Sequence, residues 1–338
     1  MRATGIHLSG HSVRLVTLEA GRPGCRLLAM AEAQLPEPFG AACLEDPDAR
    51  KRLEAGLEGI LQEAEDELGV VVASLGAGLY HIRKVLLEVA SRDDRREQIA
   101  WEVGQALISP PEDYIVRYYA ARRAAVWMAA RRRTVERLAE LLARCGASPD
   151  AFGVEPMAMV RACEMSEAWG PGRCAAVWID PPWASLAAGE GGTLVAAETV
   201  HIGRNGWDQA TPGYGPEAAE HRDLRELVRG WVHEGGGMDQ QRTAYDRIFI
   251  CGAPGEGLQI AQDLERSGAP GLSELAPLSS CDTHGLPEAQ HALLRRQEAF
   301  CIAAGLASLG LGGSVPERDP ADVPPSLPEA DAGLTLLP

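Results

Sequence analysis

Gly5-Ile6-His7-Leu8-Ser9-Gly10-His11-Ser12-Val13-Arg14-Leu15-Val16-Thr17-Leu18-Glu19 is the stretch that decides the fold. Two short apolar runs flank the turn Ser9-Gly10-His11-Ser12, which predicts a β-hairpin at the head of a domain. A small hydroxyl-and-glycine turn can present backbone N–H groups to a phosphate. A histidine, His7, stands where a phosphate hairpin would hold a carboxylate for its metal ion. The question set by this segment is whether the chain is an ATPase or only shaped like one.

Working outward, Cys25–Ala33 predicts a third strand. Asp48–Leu68 places Leu53, Leu57, Ile60, Leu61, Ala64 and Leu68 at amphipathic helix spacing. Val70–Leu75 is a short, wholly apolar strand of the buried kind. A β-α-β-β-α block follows: strand His81–Val89, helix Asp93–Leu107 capped by Ser91, strands Tyr114–Ala121 and Ala124–Ala130, and a helix opened by Thr134. Helix Met157–Ala168 then leads to the break Gly170-Pro171-Gly172. The second half begins with strands Cys174–Ile179, Trp183–Ala188 and Thr193–His201, the same scheme as the first segment, so a duplicated architecture is expected. Asp208–Gln241 is polar and glycine-rich, with a short helix near Asp223–Val232. Strand Arg247–Cys251 enters Gly252-Ala253-Pro254, a helix is expected over Leu258–Ser267, and the last helix is expected over Pro287–Leu309. Six prolines and five acidic residues among 314–338 predict a disordered tail.

The 338 residues suffice for two domains, and 46% hydrophobic with 24% charged residues is ordinary for a soluble protein. A net charge of -16 argues against a nucleic-acid or anionic-membrane surface spread over the whole protein. Residues 81–144 run the other way, with 13 basic against 9 acidic side chains, including Arg122-Arg123 and Arg131-Arg132-Arg133. A solvated helix start and a landing site for an acidic partner or inner leaflet are both open readings of that run. The eight cysteines form no C-x-x-C pair and no zinc spacing, so buried, reduced thiols of a cytosolic protein are expected. The first residues lack a signal peptide's apolar h-region and cleavage site and no run is long enough to span a bilayer, so a chain not itself inserted in a membrane is expected. His7 is expected to fill a strand position, His11 a turn, Trp178 the core and Trp183 a surface, with Trp207 a further aromatic candidate. No Ser-His-Asp or Cys-His spacing rises above chance.

The order of these elements resembles the PilM family of type IV pilus assembly proteins and, more distantly, FtsA. The hairpin echoes that family's G-x-D-x-G-x-x-x-V-K through Gly5, Gly10, Val13 and Arg14. Ile99-Ala100-Trp101-Glu102 resembles its apolar-x-W-E helix, and Val154-Glu155-Pro156-Met157-Ala158 its V-E-P-x-A helix start. Ile202-Gly203-Arg204-Asn205, Asp246-Arg247-Ile248 with Cys251-Gly252, and Ala303-Ala304-Gly305-Leu306-Ala307 resemble its later motifs. The resemblance covers roughly residues 4–312. It implies an α/β, actin-like (ribonuclease H-like) two-domain fold with an inserted SHS2-like subdomain. The implied bounds are 1–76 and 151–170 for the first domain, 77–150 for the insert, 171–312 for a second domain with a reduced outer subdomain, and 313–338 for the tail.

The resemblance also implies a nucleotide site, mapping onto Ser9, Gly10, His11, Ser12, Asp180, Gly203, Gly252 and Ala253. This chain departs from the pattern there. His7 replaces an Asp, Pro181-Pro182-Trp183 follows Asp180, and Gly252-Ala253-Pro254 replaces a glycine run. Proline offers no N–H to a phosphate, and Mg²⁺ needs carboxylates near the phosphates. A pseudo-ATPase without catalytic residues, metal or resident cofactor is therefore expected, with ATP and Mg²⁺ as the alternative. In PilM-like proteins a groove takes the cytoplasmic N-terminal peptide of the membrane protein PilN. Carried over, its walls are Ile82, Val85, Leu87, Ile115, Arg117, Tyr119, Val126 and Met128. The implied role is a cytoplasmic scaffold at the inner face of the membrane, held there by partners. The pilus motor ATPase and self-association are left open as further contacts. A GspL-like component of type II secretion and an active actin-like ATPase are the competing functions.

Overall fold

The computed structural model describes residues 1–21, 24–62, 68–87, 92–121, 124–166, 173–180, 183–190, 193–201, 245, 247–252, 272–312 and 335–336. Side chains of 62, 92, 93, 119–121, 124, 193, 272, 335 and 336 are outside that description. The first half starts with β1 (Arg2–Leu8), β2 (Ser12–Ala20) and β3 (Cys25–Gln34), then α1 (Ala41–Glu45), α2 (Pro47–Gln62) and β4 (Val70–Leu75). The insert is β5 (Tyr80–Leu86), α3 (Arg92–Ala106), β6 (Tyr114–Ala121), β7 (Ala124–Arg131) and α4 (Arg132–Arg144). The first half closes with β8 (Ala151–Val154) and α5 (Glu155–Met165). The second half holds β9 (Arg173–Asp180), β10 (Trp183–Glu190), β11 (Thr193–His201), β12 (Arg247–Gly252) and β13 (Leu272–Glu274). Last come the short α6 (His291–Leu294), α7 (Cys301–Gly310) and the two-residue strand β14 (Thr335–Leu336).

Three sheets result, in the orders β14-β8-β4-β1-β2-β3, β11-β10-β9-β12-β13 and β5-β7-β6. The first two repeat one scheme. Each has an antiparallel meander (β1-β2-β3, β9-β10-β11) whose first strand pairs in parallel with the next strand in line, β4 or β12. The register repeats too. The pairing of the second meander strand with the third slips after Thr17 in one half and after Ala188 in the other, each time six residues into the strand. A bulge at the same place in both supports the duplication expected from the strand pattern.

Each half ends in a helix that packs on the other half's sheet. α5 lies on β10 and β11, α7 lies on β1, β2 and β4, and the two helices pack on each other. α7 can be this deep because it is apolar all round: Cys301, Ile302, Ala303, Ala304, Leu306 and Ala307 are fully buried. Two glycines let it approach. A Cβ on Gly5 would lie 1.9 Å from the Ala303 carbonyl oxygen, and one on Gly305 would lie 1.9 Å from that of Ala158. The apolar stripe read from the sequence in α2 does face inward, with Leu53, Leu57, Ile60 and Leu61 buried, and so does that of α4, with Val135, Leu138, Leu141 and Leu142 buried. Each such side chain contributes about 1.5–3 kcal/mol.

Some expectations are corrected. The long closing helix is interrupted: only α6 and α7 are α-helical within Pro287–Leu309, joined by a 3-10 turn over Gln297–Phe300. Gln290 and Gln297 accept hydrogen bonds from the backbone N–H groups of Met30 and Leu278, so the two parts follow separate anchors. β8 and β13 escaped the sequence reading because they are too short to show a period. Within the segment 313–338, Thr335 and Leu336 pair in parallel with Ala151 and Phe152, and the other residues fall outside the described set. The helices expected near Asp223–Val232 and at Leu258–Ser267 fall outside the described residues.

Candidate functional site

The two hairpins meet tip to tip. Within the first turn the Ser9 N–H donates to the Ser12 carbonyl (2.8 Å), the Ser12 N–H donates to Ser9 Oγ (3.1 Å), and the two hydroxyls lie 2.9 Å apart. The turn therefore satisfies most of its own polar groups. Its Gly10 N–H, which would face a phosphate, donates instead to Asp180 Oδ2 at 2.8 Å. That bond joins the first half directly to the second. His11 is exposed, and its carbonyl accepts from the Leu35 N–H. Gly252, at the end of β12, pairs with Ile179 next to Asp180 and holds φ +119°, a value open mainly to glycine. The structure thus brings Ser9, Gly10, Ser12, Asp180 and Gly252 together. Gly203, Ala253, Pro254 and the Pro181-Pro182 turn lie outside the described residues.

Behind the tips lies a buried polar group set. His7 pairs with Arg14 across the first hairpin, and Trp178 pairs with Ser185 across the second, at matched register positions. The two rings touch edge to face, with centroids 5.1 Å apart. His7 is fully buried, its Nε2 3.5 Å from Glu155 Oε1, and among the described residues neither ring nitrogen has a hydrogen-bond partner. Glu155, the first residue of α5 and also buried, accepts from Ser185 Oγ at 2.7 Å. Tyr80 of the insert reaches the same region, its hydroxyl 3.3 Å from Thr199 Oγ1. Burial and the Glu155 carboxylate push the Tyr80 hydroxyl well above its ordinary pKa. Burial also raises the Asp180 carboxyl, against the opposing pull of the Gly10 N–H.

Among the described residues, the groups at this junction are engaged with one another. The backbone donor that would meet a phosphate is bonded to Asp180. At the position where the resemblance leads one to expect a carboxylate, the His7 imidazole is enclosed by Trp178 and Glu155. Trp183, expected at a surface, is half-buried: it packs over Gly78, where a Cβ would come within 3.1 Å of its ring, and edge-on to His201. Among the described residues no cluster of three or more His, Cys, Asp or Glu side chains could hold a metal ion.

The expected groove walls need correction. The alternation of β5 puts Ile82, Lys84 and Leu86 on one face, and the register adds Ile115, Arg117 and Tyr119 of β6 with Val126 and Met128 of β7. Val85 and Leu87 belong to the opposite face, buried against Ile99 and Val103 of α3. Nor is the first face open along its length. Ile115, Arg117, Val126 and Met128 are at most 6% exposed, while Leu86 at the outer end is 39% exposed. The Tyr119 side chain lies outside the described set. Arg122-Arg123 and Trp207 lie outside it entirely.

Glu155, quoted only within the helix-start motif, and Ser185 were given no place in the site from the sequence. A charged first helical residue with apolar neighbours on both sides (Val154, Pro156, Met157) is the signal that could have found Glu155. Ser185 shows as the one hydroxyl in the apolar run Ala184–Ala188.

No protein-family profile matches the chain, and no curated relative does. Solved structures do. PilM in a PilM-PilN type IV pilus biogenesis complex matches with a TM-score of 0.68 at 17% identity, over 91% of this chain and 98% of that one. The cytoplasmic domain of EpsL, an inner-membrane component of the Vibrio cholerae type II secretion system, matches with 0.48 at 11% identity, over 89% and 95%. A Bacteroides thetaiotaomicron protein with an actin-like ATPase fold matches with 0.45 at 12% identity, over 87% and 95%. The duplicated sheets, the exchanged helices and the extent of the first match together give this chain an actin-like two-domain fold shared with PilM.

Proposed function

We propose that the chain is a scaffold of an inner-membrane assembly complex of the type IV pilus or a related secretion machine, working without nucleotide turnover. The likeness to PilM in its complex with PilN carries this reading. The bond from the Gly10 N–H to Asp180 supports the absence of turnover, because it ties the two hairpins where phosphates would pass. The partner is a PilN-like membrane protein, which presents a short peptide to the insert. The outer end of the β5-β7-β6 face receives it, around exposed Leu86 and half-buried Lys84. Among the described residues no helix is long and apolar enough to cross a membrane.

Two measurements test this. A synthetic N-terminal peptide of the membrane protein encoded beside this chain should bind saturably, and Leu86→Asp should weaken binding at least about tenfold, the loss of a modest apolar anchor. No binding, or binding indifferent to Leu86, overturns the docking site. Calorimetry with MgATP should give no heat of binding, and low-micromolar affinity or Mg²⁺-dependent turnover overturns the nucleotide-free scaffold.

A further inference from the structure

Six of the eight cysteines are buried, and the two that are not, Cys25 and Cys281, are neighbours. Their Sγ atoms lie 2.8 Å apart, although 256 positions separate them in the chain. The backbone explains the meeting. Arg26 and Asp282 form a parallel bridge, the Leu27 N–H donates to the Asp282 carbonyl (2.8 Å), and the Asp282 N–H donates to the Cys25 carbonyl (2.9 Å). Parallel register sets Cys25 beside Cys281 one step earlier. Neighbouring strands run about 4.8 Å apart, inside the Cα separation of roughly 4.4–6.8 Å that a disulfide requires. The sulfurs need to close by less than about 1 Å to reach bonding distance.

We propose that Cys25 and Cys281 are a redox-responsive disulfide pair, joined by hydroperoxides. The bond would fix the segment returning from the second sheet to the edge of the first. β3 is the edge strand of the first sheet, and the segment 275–300 leads from β13 into α7. The pair sits at the rim of the apolar cluster of Leu27, Met30, Leu278, Leu286 and Phe300 that holds this segment down. The contact with Cys281 lowers the Cys25 pKa, which favours Cys25 as the attacking thiolate.

The chemistry balances in two steps. The Cys25 thiolate attacks the terminal oxygen of the hydroperoxide. An S–O bond forms, the O–O bond breaks, and the departing alkoxide or hydroxide takes up the proton that Cys25 released. The Cys281 sulfur then attacks the Cys25 sulfenic acid. An S–S bond forms, the S–O bond breaks, and hydroxide leaves with the Cys281 proton as water. Two thiols are oxidised and one peroxide is reduced.

The test uses the full chain, titrated with hydrogen peroxide, alkylated, and digested without reductant. Mass mapping should find the Cys25 peptide linked to the Cys281 peptide, at peroxide levels that leave the six buried cysteines alkylatable after denaturation. The melting temperature should rise by roughly 5 °C on oxidation, the order expected for closing so long a loop, and fall back with dithiothreitol. In Cys281→Ser, Cys25 should accumulate as a sulfenic acid that dimedone traps, and the rise should vanish. Linkage to another cysteine, over-oxidation of Cys25 in the unmutated chain, or no crosslink at all overturns the proposal. The mapping on the unmutated chain decides the matter even if a variant folds poorly.

Discussion

The two sheets share a topology and even a bulge position, yet each is covered by a different kind of helix contact. On the first sheet α7 meets β1 through Gly5 with no intervening side chain. On the second sheet α5 meets β10 through a buried carboxylate, Glu155, bonded to Ser185 and lying against His7. One contact is dry backbone packing and the other is a polar set. The difference teaches where a duplicated fold keeps room for chemistry. Close packing leaves no volume at the first contact. At the second, polar groups of both hairpins converge: Ser185 bonds to Glu155 and the Gly10 N–H to Asp180, while the His7 ring nitrogens have no hydrogen-bond partner among the described residues.

The sharpest way to break the comparison is to crowd the dry contact. Gly5→Ala or Gly305→Ala would drive a methyl onto a backbone carbonyl that cannot turn aside. Each should cost about 3 kcal/mol, the upper end for overpacked cores. Chemical denaturation measures it, and a loss below 1 kcal/mol, roughly the scatter for tolerated swaps, would mean α7 sits further than described from β1 (for Gly5) or from α5 (for Gly305).

The next effect probes the polar contact. Glu155→Ala should cost about 2–3 kcal/mol, because the Ser185 hydroxyl is then buried without its acceptor. Glu155→Gln keeps an acceptor of the same shape and should cost less. Equal costs for the two variants would show that charge, rather than hydrogen bonding, holds α5 on the second sheet.

Much of the first contact could be read from the chain and little of the second. Ala303-Ala304-Gly305-Leu306-Ala307 is a small-residue helix by composition, and Val70–Leu75 is a buried strand by its unbroken apolar run. Such patterns are local. The bonds that define the site are not: Ser185 meets Glu155 across 30 residues, and Gly10 meets Asp180 across 170. No period in the sequence encodes those meetings. The groove shows a different failure. Ile82 and Val85 are close in sequence and both apolar, but an odd spacing in a strand sends them to opposite faces. Counting parity would have removed Val85 from the groove without any structure.

A smaller effect follows from Asp180. Burial holds its folded-state pKa above the unfolded carboxylate value of about 3.9. The folded protein therefore binds more protons than the unfolded one in the window above that value. Its contribution to stability is fully present below the unfolded pKa and is lost as pH rises through the raised folded pKa. Asp180→Asn removes this titration and keeps an oxygen for the Gly10 N–H. The difference in melting temperature between the variant and the unmutated chain should grow in the variant's favour as pH rises through that window. A difference that does not change with pH would place Asp180 in water, with the junction of the hairpins open.

The smallest effect has the opposite sign from the first and uses the same substitution. Gly104 lies in α3, which covers the outer face of the insert, and a Cβ there would meet nothing within 4 Å. Alanine restricts the unfolded chain and favours the helix, so Gly104→Ala should stabilise by about 0.5–1 kcal/mol. The outer side of α3 also carries Trp101, 62% exposed, so this helix is sealed on one side only. Glycine on α7 is required by what presses against it, whereas on α3 it is only a helix weakener. If Gly104→Ala destabilised the chain instead, something would be packed against the outside of α3. The contrast between a helix sealed on both sides and one sealed on one side would then fail.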